Sequence, residues 1–412
     1  MRVTLEIAAE RMNGIAASAI QIPGALSTGV TLAFGHGSAV ETIDRAGFAH
    51  LTEHLLHSAT RAGPRLTEDV VADLGGMSNA QSYPFHTEFS LVLPASDVRA
   101  SLAAALALAT SRLQPLTLSS DAIEREVRVI AREVDERLSS GSFATFPWVG
   151  TLAAVSCDEG TVSNPFSDLR ALTRATTDEV EGFVARTQAA PVSLAVASSL
   201  HPAEALDLVR DALVDHVRTV DYTDWRRGFR GHRLIAHRFT ARHGSESVAS
   251  VSAEFRVLPE SPDRARARAL AAVLPGILAP AAGSGTAWST GLFGAWTGPE
   301  FDLFTAWRFG AGADPDLGVE AEARESVSRL TEQTLDQARM ASASEFSLYL
   351  SGTAPASALL ARDALFGIDT RATPRLLNEV TALEIERACE TLCTIKPGVL
   401  SWTADPDLAR TA

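Results

Sequence analysis

Cysteine is nearly absent, with three residues in 412, at Cys157, Cys389 and Cys393. They are too few and too dispersed for a disulfide framework, so a reducing cytoplasm is the expected compartment. Cys389 and Cys393 lie four apart on an expected helix, but no further Cys or His pair accompanies them. Buried thiols are the simpler reading of that pair than a second metal site. Also missing is any apolar run long enough to span a bilayer. The N-terminal stretch MRVTLEIAAERMNG has no continuous apolar core and carries Glu6 and Glu10. No secretory signal is expected there. Positive charge is in deficit: 36 Lys and Arg face 50 Asp and Glu, for a formal net charge of −14. That argues against nucleic acid or an anionic membrane as the main partner. One basic-aromatic run, Trp225-Arg226-Arg227-Gly228-Phe229-Arg230-Gly231, goes the other way. It has no period and reads as linker packing on acidic surface.

What is present is ordinary for a globular chain, 46% hydrophobic and 21% charged. The length exceeds one typical core, so two or more domains are expected. Two stretches half a chain apart are alike. Thr176-Thr177-Asp178-Glu179-Val180 opens a helix, and Pro191 leads into Val192–Val196. Thr381-Ala382-Leu383-Glu384-Ile385 opens another, and Pro397 leads into Val399–Trp402. This weak repeat suggests an N-terminal domain over 1–214, a linker over 215–233 and a related C-terminal domain over 234–412.

The first 140 residues carry the clearest signals. Val30 to Phe34 reads as a short apolar strand. Arg65 to Leu74 reads as a helix closed by Gly75-Gly76. Ser78 to Leu93 alternates as a strand, with Phe89, Leu91 and Leu93 on one face. Ala100 to Ala109 is an Ala/Leu-rich helix. Asp121 to Leu138 is a long amphipathic helix with a stripe of Ile123, Val127, Ile130, Val134 and Leu138.

Between these elements stands His50-Leu51-Thr52-Glu53-His54. On a helix, positions four apart share a face, so two imidazoles can aim at one point. Neutral imidazole is a favoured zinc ligand. Glu53 can reach a metal-bound water without taking a coordination place, as a general base must. Chance predicts roughly 0.02 such matches in a chain of this composition. Two surface histidines on an ordinary helix remain the alternative. A metal site also needs a third ligand. Glu126 and Glu133 are seven apart on the long helix and border its apolar stripe. A carboxylate beside such a stripe is partly desolvated and wants a cation. For this helix taken alone, paired surface charges, with Arg125, Arg128, Arg132 and Arg137 as partners, are the simpler reading.

Taken in order, these stretches resemble the pitrilysin family of metallopeptidases, and most its shorter members, the mitochondrial processing peptidase subunits and their bacterial relatives. The likeness runs through Asn13-Gly14, Gly37-Ser38, Glu41 and Gly47-Phe48-Ala49-His50-Leu51-Thr52-Glu53-His54. It continues through Leu74-Gly75-Gly76, Asn79-Ala80, Thr87, and Glu126-Val127 with Glu133. H-x-x-E-H is the signature of that group. The resemblance is specific over residues 13–140 and diffuse beyond. It implies an α+β fold of two related α/β-sandwich domains, each a mixed antiparallel sheet with helices on one face. It implies that Zn²⁺ is held by His50, His54 and Glu133, with Glu53 as general base and Glu126 orienting the ligands. It also implies an open strand at Asn79 and Ala80, where a peptide substrate adds as an extra strand.

The chain departs from the family in three places. Family members often carry an Arg and a Tyr near R-G-L-A-Y in the C-terminal half. Here Ser289-Thr290-Gly291-Leu292-Phe293-Gly294-Ala295 puts Thr290 and Gly294 there, with Phe293 and Trp296 as aromatic surface. In paired relatives one subunit has the zinc motif and the other the Arg/Tyr pair. The chain is therefore expected to be the zinc-bearing subunit of a dimeric endopeptidase that processes short or unfolded peptides. A non-catalytic scaffold of the same fold is the alternative, and a zinc-binding sensor a third reading. His57 replaces an aromatic residue and reads as solvated. The distance from His54 to Glu133 is slightly long, which implies a loop insertion.

Overall fold

The computed structural model describes residues 6–58, 61–62, 65–139, 169–220, 222, 225, 238–243, 250–258, 263–278, 286–290, 298, 302–309, 319–395 and 398–404. The chain divides into two compact units. One comprises Met1–Arg128, Ser167–Gly228 and Phe346–Arg371, and the other the remainder.

The first unit is built on a mixed sheet. Its strands are β1 (Ile7–Met12), β2 (Ile15–Gln21), β3 (Ser27–Phe34), β4 (Met77–Ser82), β5 (Thr87–Pro94) and β6 (Val192–Ser198), in the order β1-β2-β6-β3-β5-β4. Only β2 and β6 run parallel; every other neighbouring pair is antiparallel. The expected strand from Ser78 to Leu93 is a hairpin. Pro84 cannot donate to a ladder, and the chain turns over Tyr83–His86 with Tyr83 N donating to His86 O at 2.8 Å.

Strand β3 shows why the sheet is covered twice. Alternation puts Val30, Leu32 and Phe34 on one face and Gly29, Thr31 and Ala33 on the other. The large-residue face is filled by helices α3 (Val98–Thr110) and, over β2, α7 (Pro202–Ala212). The small-residue face is not bare, as cover on one face alone would leave it. It seats α11 (Thr353–Phe366), which comes from late in the chain. Gly29 lets the helix start sit against the strand; a Cβ there would lie 2.3 Å from Thr353 O. Thr31 Oγ1 is 2.8 Å from Ser357 Oγ, and Ser193 Oγ donates to Ala361 O at 2.6 Å. Small polar side chains thus replace bulk and bring the helix close.

The expected linker is fastened to this unit by two aromatic residues. Tyr222 Oη accepts from Ala16 N at 3.3 Å and donates to Val192 O. Trp225 Nε1 donates to Gly35 O at 2.7 Å, and its ring stacks on Phe366. Amphipathic rings dock where a backbone carbonyl is left over at a strand end. Residues 226–231 of the basic run lie outside the described residues.

The second unit has strands β7 (Arg238–His243), β8 (Ser250–Leu258), β9 (Thr286–Thr290), β10 (Asp302–Phe309) and β11 (Gly398–Ala404), ordered β9-β10-β8-β11-β7. Leaving out β1, each sheet places its first, fifth, second, fourth and third strands in that spatial order. In each, the fifth strand is parallel to the first and antiparallel to the second. The repeated stretches are the helices that feed those fifth strands, α6 (Thr177–Ala189) and α13 (Ala382–Thr394). Both open with a full capping box, Thr176 with Glu179 and Thr381 with Glu384. Each sheet belongs to an α+β fold, and the two are topological copies. Cys389 and Cys393 are free thiols on α13, with their sulfurs 4.0 Å apart. Phe293, Gly294 and Trp296 lie outside the described residues.

Candidate metal centre

Helix α1 (Phe48–Ser58) carries the histidines. Its start is set by two groups. Gly47 has φ +87°, a conformation that favours glycine and turns the chain into the helix. Glu41, buried to 4% exposure, accepts from Gly47 N at 3.0 Å and Ala49 N at 2.6 Å. Its carboxylate satisfies N–H groups that a helix start leaves open, at the positive end of the helix dipole. Phe48, Leu51, Leu55 and Leu56 bury the opposite face. Phe48 meets Phe183 of α6 edge-on at 5.7 Å, and Phe183 meets His36 at 4.7 Å. Burial first, and then the nearby charge of Arg186, pulls the His36 imidazole down to about 4. It stays neutral, 2.8 Å from Thr187 Oγ1.

This fixed helix presents His50, Glu53 and His54 on one side. His50 and Glu53 are buried and His54 is half-buried. Among the described residues their ligand atoms form a cluster, all within 4.8 Å of one another. The two Nε2 atoms are 3.1 Å apart, and Glu53 Oε2 is 4.0 Å from His50 Nε2. Two nitrogens bound tetrahedrally to one zinc at 2.0–2.1 Å would be about 3.3 Å apart. The donor set and its spacing therefore fit a zinc ion.

Helix α4 (Ser120–Ser139) supplies Glu126. Glu126 does not border the stripe but stands within it, between buried Ile123 and Ile130. Its Oε2 lies 3.4 Å from His54 Nδ1, and its Oε1 accepts from Ser58 Oγ at 2.9 Å. Burial pushes this carboxyl up, but the hydrogen bonds from His54 and Ser58 outweigh it and hold the group below the usual range. A carboxylate on Nδ1 leaves the Nε2 lone pair for a metal. Glu133, half-buried and seven residues on along α4, is not among the three clustered residues.

Strand β4 is the sheet edge. Asn79 on it is exposed and Ala80 half-buried, in strict alternation along the strand. His57 is not simply solvated. Its Nε2 pairs with Glu68 Oε1 of α2 (Thr67–Asp73), tying α1 to the next helix. Sequence reasoning assigned no role to Glu41 or Ser58. A glutamate six residues before a helix-starting glycine was the available signal for the first.

Removing the Glu41 carboxylate by Glu41→Ala orphans two buried N–H groups. We expect a loss of roughly 1–3 kcal/mol of stability, with Glu41→Gln recovering part. Chemical denaturation measures both, and an unchanged midpoint in Glu41→Ala would count against the anchoring role.

These features define a candidate metal centre on a repeated α+β fold. Residues 19–141 match the family model described as Insulinase (Peptidase family M16). Solved structures agree over nearly the whole chain. A protease from Helicobacter pylori superposes with TM-score 0.75 at 13% identity, covering 97% of this chain and 100% of that one. The periplasmic protease PqqL from Escherichia coli gives 0.69 at 13% identity, covering 98% of this chain and 48% of that one. A peptidase M16 inactive domain from Pseudomonas fluorescens gives 0.68 at 14% identity, covering 97% and 98%. A search of curated proteins gives no match. Residues 19–141 thus resemble an M16-type peptidase domain, and the chain has the fold of M16 peptidase domains. Among the described residues, no helix is long and apolar enough to cross a membrane.

Proposed function

We propose that this chain is a zinc-dependent endopeptidase acting on short or unfolded peptides. The observation that carries the reading is the convergence of His50, Glu53 and His54 on one point, with Glu126 fixing His54 from behind. His50 and His54 hold the ion, and Glu133 serves as the third protein ligand. A bound zinc supplies a Lewis acid that polarises the scissile carbonyl and acidifies a water. Glu53 takes the proton from the attacking water and delivers it to the leaving amine. The buried surroundings of His50 and Glu53 exclude competing water and strengthen these interactions. The open edge of β4, at Asn79 and Ala80, receives the substrate as an added strand.

We further propose that this is the zinc-bearing subunit of a two-subunit peptidase, resembling the processing peptidases. By the resemblance, Thr290, the last residue of β9, would take the place where such enzymes carry arginine. A paralogous partner would supply the Arg/Tyr pair. The test is metal analysis and peptide cleavage on the purified chain, alone and with that partner. We expect one zinc per chain at neutral pH and cleavage abolished by chelation and restored by zinc. Weak activity alone should rise with the partner. Absence of bound zinc would instead favour a scaffold role. Full activity as a monomer would contradict the subunit assignment.

A further inference from the structure

A second polar group sits at the same edge of the first sheet, on the face away from α1. Strand pairing fixes the faces. Gln81 lies opposite Glu88 and Asn79 opposite Ser90, and Ser90 shares a hydrogen bond with Thr31 on the face that seats α11. Residues 78, 80 and 82 point the other way, and α1 packs against that half-buried side of β4. A peptide strand added to β4 would therefore alternate. One set of side chains would face the His50–His54 side and the other would lie beside Asn79 and Gln81.

That second side is built. Tyr83 stacks on fully buried His86 with centroids 4.5 Å apart, and its hydroxyl donates to Gln81 Oε1 at 2.5 Å. His86 touches Phe366 of α11 edge-on at 5.5 Å. Arg362 precedes Phe366 by one helical turn, so it shares the flank that faces this hairpin. Burial first raises the Tyr83 hydroxyl and lowers the His86 imidazole, and the charge of Arg362 is a smaller cause at both.

Arg362 is half-buried, and its Nε is buried without an acceptor. Among the described residues no carboxylate pairs with it. One Glu88 oxygen is 3.4 Å from the Tyr83 hydroxyl and the other 3.5 Å from His86 Nε2. Among the described residues this leaves the Arg362 guanidinium with donors available to a ligand. A guanidinium presents a fork of donors that matches a carboxylate.

We propose that Arg362, one helical turn from the Phe366 that meets His86 of this hairpin, is a carboxylate-recognising subsite for the peptide that adds to β4. The carboxylate is either an acidic side chain on the face away from His50 and His54 or the peptide's own C-terminus. The peptide occupant rests on the peptidase reading above, while the anion-binding flank does not depend on catalysis. It would give the enzyme a preference for acidic or short C-terminal substrates.

The test uses the zinc-loaded full chain carrying Glu53→Gln, so that binding is read without turnover. Labelled peptides are compared as twins: Asp against Asn at successive positions, and free acid against C-terminal amide. Arg362→Gln should weaken the carboxylate twin by about tenfold or more and leave the neutral twin within about twofold. Arg362→Lys should retain part of the preference, because charge remains and the fork is lost. Loss confined to the Asp/Asn pair assigns the side chain, and loss confined to the acid/amide pair assigns the C-terminus. Equal weakening of both twins, or no change in either, overturns the subsite. Carboxylate-selective binding by a wild-type chain that cleaves nothing would overturn the peptidase reading alone. Failure of every peptide to bind would overturn both.

Discussion

Glu53→Gln should leave zinc bound and lower peptide cleavage by about 10²–10⁴-fold, the range that a positioned general base contributes. Glutamine keeps the shape and removes the basic oxygen. Glu53 Oε2 stands 4.0 Å from His50 Nε2, close enough to meet a water held at the same point. It is also buried, so bulk water is a poor substitute for its proton transfer. Steady-state cleavage together with metal content checks the expectation. Near-normal turnover with zinc retained would remove Glu53 from the reaction. Loss of zinc along with activity would instead make it a ligand.

Glu126→Gln should weaken zinc binding by about 10–100-fold, as changes in the groups that orient a ligating histidine do. The carboxylate is buried, lies 3.4 Å from His54 Nδ1 and accepts from Ser58. Glutamine can still accept a hydrogen bond but no longer supplies charge to the imidazole. Ser58→Ala should have a smaller effect, since it removes one neutral partner of that carboxylate. Competition titration with a chromogenic chelator measures both variants. An affinity unchanged in Glu126→Gln would reduce the contact to helix packing.

Much of this site was legible because its logic is local. Histidines four apart on a helix share a face whatever the rest of the chain does. Glu126 was visible as a carboxylate near an apolar stripe, although its place inside the stripe needed the contact with His54 and Ser58 to explain it. The capping boxes at Thr176 and Thr381 were legible as helix openings, and the shared strand order gives their likeness a structural basis. Contacts between distant parts of the sequence were less so. Nothing local says that α11 crosses to the first sheet. The only trace is the run of small residues at Gly29, Thr31 and Ala33, which an alternating pattern shows without naming its partner. The break at Pro84 was readable and was overridden by the alternation around it. The partner of His57, Glu68, lies on the next helix, out of reach of local spacing.

The composition of β4 has a consequence of its own. The strand reads MSNAQS, with no β-branched residue and only alanine and methionine as apolar side chains. Such a segment pairs poorly with copies of itself. An edge proposed to accept a passing extended chain would also invite permanent stacking between molecules, and a weakly sticky strand would reconcile the two. Its hold is left to backbone hydrogen bonds and to whatever the flanking faces add. Threonine or valine at Asn79 and Gln81 would make the rim a better template for oligomers and a worse one for turnover. The softness of this strand would thus keep the edge both accessible and clear.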